Sequence, residues 1–196
     1  MRKMTVPVLA LLALSIVFCG CGKKPLPAPV PPPTAEAIAA FSEAAFNGNA
    51  QPVADALKAG MPVDQVETNG NSALMLAAFN GHTNVMHLLL DAKANINLRD
   101  SKGRTPLMFA SSGPFPGAVK LLLEHGAEVN AIDTVDHFTA LMFAAGEGLS
   151  PIVDILLEKG ADPKMKDKDN DTAASFAKSR GFTDLAQKLQ QLIDQP

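Results

Sequence analysis

Self-similarity at a fixed period is the feature that most restricts what this chain can become. Ser72-Ala73-Leu74-Met75, Thr105-Pro106-Leu107-Met108 and Thr139-Ala140-Leu141-Met142 align at offsets of 33 and 34, and Thr172-Ala173-Ala174-Ser175 follows 33 further on. Upstream, Ala44-Ala45-Phe46-Asn47-Gly48 returns as Ala77-Ala78-Phe79-Asn80-Gly81. The second half of each unit repeats as Leu88-Leu89-Leu90, Leu121-Leu122-Leu123 and Ile155-Leu156-Leu157. A period in this range is the signature of a stacked array, in which no unit can bury its apolar face alone.

The local physics of one unit can be read directly. Ser72, Thr105, Thr139 and Thr172 are N-caps, each with a hydroxyl able to accept a free backbone N–H of the first turn. Pro106 stands at the first helical position, where its missing N–H costs nothing. A helix of about eight residues is predicted next, its pairs Ala77-Ala78 and Ala144-Ala145 small enough for close helix approach. Gly81 and Gly148 supply the left-handed residue that ends it, and Gly126 and Gly160 end the second helix. That second helix sets Val85, Leu88 and Leu89 on one face. A polar, turn-rich stretch such as 97–103 closes the unit.

The period, the Thr-Pro-Leu opening, Ala77-Ala78 leading to Gly81-His82, and the Leu-Leu-x-x-Gly-Ala ending resemble the ankyrin repeat. The resemblance covers about residues 34–196. It implies an all-α repeat solenoid of helix-turn-helix pairs with β-hairpin fingers, about three full repeats plus degenerate N- and C-terminal caps. The units are 34–68 (N-terminal cap, with Thr34 capping a helix to about Phe46), 69–101, 102–135, 136–168 and 169–196 (C-terminal cap). Gln187, Lys188, Gln190 and Gln191 give the last helix the polar face of a terminal unit. The family often carries a histidine after Thr-Pro-Leu, and Met75, Met108 and Met142 replace it here. A thioether cannot make that histidine's inter-repeat hydrogen bonds, so packing is expected to substitute.

Three departures from the period carry information. Lys93 stands where the later units have Gly126 and Gly160; a left-handed backbone there costs a side chain roughly 1 kcal/mol. In Ser112-Gly113-Pro114-Phe115-Pro116, Pro114 takes the glycine position. Phe115 is expected to pack inward, as Leu149 and Phe182 do at the same repeat position; the alternative is a rigid anchor for a partner. One extra residue enters the finger Asp133-Thr134-Val135-Asp136-His137, and insertions in such arrays map to loops, often on the binding face.

The first 33 residues read as an address and a tether. Arg2 and Lys3 precede an apolar run from Val6 to Phe18, shorter than the roughly 20 residues a spanning helix needs. Phe18-Cys19-Gly20-Cys21 resembles a bacterial lipobox. Cys21, with small Gly20 before it, fits as the lipidated residue, whereas bulky Phe18 disfavours Cys19. The reading is therefore a signal peptide over 1–20 and a lipidated cysteine with a tether over 21–33; the alternative is a plain secretory signal with incidental cysteines. Six prolines lie between Pro25 and Pro33, a polyproline II spacer of roughly 30 Å at about 3.1 Å per residue. Gly22 rather than Asp after the cysteine favours the periplasmic side of an outer membrane, where the cell has one.

Composition narrows the chemistry. Net charge is −3, which argues against nucleic acid as a partner. Beyond Cys21 there is no cysteine, hence no disulfide framework and no thiolate metal site. Asp167, Asp169 and Asp171 copy the first three ligand positions of an EF-hand loop. Thr172 stands where that loop needs Gly and Lys178 where it needs Glu, so these residues read as a solvated finger. The four histidines, 82, 87, 125 and 137, form no zinc motif, and no phosphate loop or Gly-x-Ser-x-Gly elbow occurs. No catalytic residue, metal or cofactor is expected.

The resemblance implies a rigid scaffold for protein recognition, binding through finger tips and the concave side of the first helices. Matching positions are Val66, Asn71, Phe79, Arg99, Lys102, Arg104, Ile132, Val135, Phe138, Lys166 and Asp171. Val66, Phe79, Ile132, Val135 and Phe138 are apolar where a finger should be wet, and Arg99, Arg104 and Lys166 would rim them. The expectation is a monomeric, envelope-tethered adaptor or inhibitor, held to the membrane by lipid at Cys21. Two alternatives keep the solenoid: a secreted effector that binds a host protein, and an accessory protein to a periplasmic redox or metal enzyme.

Overall fold

A computed structural model describes residues 32–195, so the leader and lipobox readings, Cys21 included, fall outside the described residues. Ten helices follow in five antiparallel pairs: α1 (Ala35–Phe46) with α2 (Ala50–Lys58), α3 (Ala73–Phe79) with α4 (Thr83–Asp91), α5 (Pro106–Ser111) with α6 (Pro116–Glu124), α7 (Ala140–Gly146) with α8 (Ser150–Glu158), and α9 (Ala173–Ser179) with α10 (Thr183–Ile193). The pairs stack first helix on first helix and second on second, giving an all-α repeat solenoid. None of these helices is long and apolar enough to cross a membrane.

The core repeats with the sequence. Leu89, Leu122, Leu156 and Leu189 are each fully buried in successive second helices. Each leucine contributes about 1.5–3 kcal/mol relative to exposure. The alanine pairs Ala77-Ala78 and Ala144-Ala145 are fully buried too, where larger residues would hold the first helices apart.

The N-caps form as expected, with one addition and one exception. Thr34 Oγ1 accepts the Ala37 N–H at 3.2 Å, Ser72 Oγ that of Met75 at 3.3 Å and Thr139 Oγ1 that of Met142 at 3.2 Å. The methionines are buried in the core and, within their own units, also reach back to the N-cap. Sδ of Met75, Met108 and Met142 each accepts the backbone N–H of its own N-cap residue at 3.5 Å. The long thioether turns back over the first turn and closes a capping box that Glu or Gln usually closes, through a weak sulfur acceptor. The exception is Thr105, whose hydroxyl oxygen is buried without a partner.

Lys93 is left-handed, with φ of 68°, beside Gly126 at 89° and Gly160 at 88° in the equivalent places. Phe115 packs inward, half-buried against the core. It belongs to a recurring device in which a ring from one unit covers the turn glycine of the unit before. A Cβ on Gly81 would lie 2.3 Å from the Phe115 ring, one on Gly148 would lie 2.4 Å from Phe182, and one on Gly48 would lie 2.6 Å from His82. Phe182 differs from its expectation: it covers Gly148 yet remains 38% exposed.

The fingers are tight turns with little β pairing. One antiparallel bridge, Val66 with Ser72, is the extent of β pairing within the described residues. Each finger closes on a backbone bond across its neck, Glu67 N–H to Asn71 O, Asp100 N–H to Arg104 O, Asp133 N–H to Phe138 O and Asp167 N–H to Asp171 O, at 2.9 to 3.1 Å, and three add a turn bond, Gly70 N–H to Glu67 O, Gly103 N–H to Asp100 O and Asn170 N–H to Asp167 O. Neighbouring fingers are tied by Ser101 N–H to Asn69 O, Thr134 N–H to Lys102 O and Lys168 N–H to Asp136 O.

Candidate functional site

Carboxylates build the finger row from inside. Asp100, Asp133 and Asp167, spaced 33 and 34 apart, are buried at 7%, 4% and 9% exposure. Asp100 Oδ1 accepts the N–H groups of Lys102 (2.9 Å) and Arg104 (2.8 Å). Asp167 Oδ1 does the same for Asp169 and Asp171. In the finger with the inserted residue, Asp133 Oδ1 accepts three, from Val135, Asp136 and His137, and His137 takes a φ of 64°. The EF-hand-like spacing at 167–171 thus serves the finger's own turn: the leading carboxylate faces inward and its acceptor capacity goes to backbone.

The first helices add an aromatic row beside the fingers. Phe79 meets Phe109 edge to face at 6.4 Å between centroids. Phe138 meets Phe143 at 5.8 Å and Phe176 at 5.1 Å, also edge to face. Phe138, Phe143, Phe176, Met142, Glu147 and Arg180 line a recess of about 160 Å³. Phe46 and Phe79 are 42% and 41% exposed, and Val135 on the third finger is 44% exposed. The result is an apolar face held by rigid elements, wet at its edges and suited to contact with another macromolecule.

The sequence-predicted positions divide into free and engaged groups. Phe79, Lys102, Val135, Lys166 and Asp171 are exposed. Phe138 is half-buried and serves as the hinge of the aromatic cluster, so it supports the recess more than it projects from it. Val66 and Ile132 are half-buried at the feet of their fingers. Two arginines expected at the rim have their donors largely engaged within the domain. Arg99 Nη1 donates to Gly103 O (3.0 Å) and Ile132 O (2.7 Å), stapling two units together. Arg104 pairs with buried Asp100 through Nε at 2.8 Å and Nη2 at 2.7 Å, its guanidinium lying 4.6 Å over the Phe109 ring. Asn71 is half-buried, and its side-chain oxygen is buried without a partner.

Sequence reasoning missed Phe109, Phe143 and Phe176. Their signal was a phenylalanine four residues after the N-cap threonine in three successive units, at 105, 139 and 172. It also missed Phe46, the N-terminal counterpart of Phe79.

Comparison with known proteins places this geometry in a family context. The family model described as Ankyrin repeats (3 copies) matches residues 41–133 and 102–167, more than half of the chain. The chain is similar to Ankyrin repeat family A protein 2 of Mus musculus, 47% identical over 47 residues, covering 24% of this chain and 15% of that protein. Its counterpart in Homo sapiens is 44% identical over 45 residues, covering 23% of this chain and 14% of that protein. The similarity therefore spans about a seventh of the length of these relatives.

Proposed function

Because the chain belongs to the ankyrin-repeat family, we propose that it is a non-catalytic scaffold that holds one protein partner against its finger and first-helix face, tethered to a bacterial envelope by lipid on Cys21. The observation that carries the binding half is the distribution of exposed apolar side chains. Among the described residues, Phe46, Phe79 and Val135, three of the four large apolar side chains left exposed, belong to the first helices and fingers. Interfaces that bind protein concentrate aromatic side chains at their centre and charge at the rim. Lys102, Lys166 and Asp171 supply that rim.

The tether half rests on the Arg2-Lys3 opening, the short apolar run and the Gly20-Cys21 junction. Two experiments test the two halves separately. Metabolic palmitate labelling gives a labelled protein that loses its label in Cys21→Ser; a label indifferent to that change removes the anchor. Crosslinking capture from envelope extract yields a partner whose recovery falls in Phe79→Ser; undiminished recovery removes this face as the interface.

A further inference from the structure

The recess in the aromatic row has a composition that contact with a flat protein surface does not require. Its volume of about 160 Å³ lies below the roughly 300–1,000 Å³ of a site for a drug-sized ligand, so it admits one small group. Three features of its lining say what kind of group.

The first is the arrangement of its walls. Phe138, Phe143 and Phe176 all line it, and Phe138 stands at 87° to Phe143 and 80° to Phe176. Rings that meet near right angles form the sides of a box, whereas parallel rings would close on one another. Gly146 leaves the box open: the same register holds Phe46 and Phe79 in the first two units.

The second is charge. Glu147 and Arg180 also line the recess; they stand at equivalent places, the C-caps of α7 and α9, and both are exposed. Among the described residues neither is in an ion pair. A carboxylate and a guanidinium one repeat apart therefore flank the three rings.

The third is a cation already seated in the same row. Phe109, Phe143 and Phe176 share one register, and the Arg104 guanidinium lies 4.6 Å over the Phe109 ring. In the next unit the Arg104 register holds Phe138, which adds a wall and supplies no cation.

We propose that this recess seats the trimethylammonium group of a small zwitterion, with its anion directed to Arg180. Aromatic faces attract a cation through the ring quadrupole, and quaternary ammonium groups are bound in boxes of such rings. A primary ammonium or a guanidinium brings N–H donors that need acceptors. Met142 Sδ, which lines the recess, already accepts the Thr139 N–H, so Glu147 is the one lining side chain with acceptor oxygens. A trimethylammonium group has no N–H to satisfy and asks only for rings and a nearby negative charge. This seat does not depend on the scaffold reading.

The test follows backbone amide shifts of the full chain in maltoside detergent during titration with glycine betaine and with phosphocholine. The comparison is the neutral alcohol in which a tert-butyl group replaces the trimethylammonium of choline. Both zwitterions should give saturable shifts centred on Phe143, Gly146, Glu147 and Phe176, and the tighter of the two assigns the source as free solute or headgroup. The neutral alcohol should bind about tenfold more weakly. Gly146→Leu fills the recess and should abolish the shifts while the melting temperature holds, because a Cβ there meets Phe176 Cβ at an ordinary 3.9 Å. Glu147→Gln and Arg180→Gln, both on exposed side chains, should each weaken binding about fivefold without moving the melting temperature. Absence of saturable shifts, equal response to the neutral alcohol, or indifference to any of these variants overturns the proposal. A captured protein partner alongside no response to either zwitterion removes the seat and leaves the scaffold reading standing.

Discussion

Replacing Asp100 by alanine removes more than its single carboxylate suggests. Oδ1 holds the N–H groups of Lys102 and Arg104, and Oδ2 holds the Arg104 guanidinium through Nε at 2.8 Å and Nη2 at 2.7 Å. The Asp100 side chain is 1% exposed, so water cannot reach the vacated N–H groups unless the finger opens. Hydrogen bonds to a charged group contribute about 1.5–3 kcal/mol each, and breaking a buried pair costs about 3–5 kcal/mol. Arg104 is 30% exposed and can rehydrate above Phe109, which puts the loss near the lower end, about 3 kcal/mol. For a domain of this size that lowers Tm by about 6–12 °C. Asp100→Asn keeps an acceptor for both N–H groups but turns an amide against the guanidinium, so about half the loss is expected. Thermal melting by circular dichroism or calorimetry reads both, with exposed Asp169→Ala as a control that moves little. A D100A melting point within about 2 °C of the parent would refute the assignment of this carboxylate as the finger's internal support.

Three further outcomes follow from the backbone. Lys93→Gly relieves a left-handed side chain at φ of 68°, and Tm should rise by about 1–3 °C after the added freedom of the unfolded chain is deducted; an unchanged or lower value contradicts the strain. Gly81→Ala should cost about 2–3 kcal/mol, because its Cβ would meet the Phe115 ring at 2.3 Å in addition to adopting positive φ. Gly126→Ala, with nothing within 4 Å, should cost only the backbone strain of about 1 kcal/mol, and equal melting shifts for the two would dismiss the ring contact.

What could be read in advance, and what could not, has a physical basis. The helix pairs, the Thr34 cap and the left-handed Lys93 depend on local chemistry and on a period that repeats several times. The thioether contacts escaped because methionine reads as packing, and its sulfur acceptor shows only when the N-cap N–H is seen 3.5 Å away. Arg99 and Arg104 were placed at the rim because their register is that of contact residues. Their engagement with Ile132 and Asp100 depends on how one unit sits on the next. Phe109, Phe143 and Phe176 sit amid core residues in sequence, and only the stacked geometry brings them beside Phe79 and Phe138 as one face.

The central claim is that the aromatic and finger face binds protein, and the most direct measurement is the affinity of the full chain for the partner captured from envelope extract. Phe79→Ser combined with Val135→Ser should weaken Kd at least tenfold, as expected where exposed apolar groups lie at an interface centre worth about 1–2 kcal/mol each. Phe182→Ser removes an equally exposed ring in the α9–α10 turn and should leave Kd unchanged. An unchanged Kd in the double variant, or an equal loss in Phe182→Ser, would contradict the account.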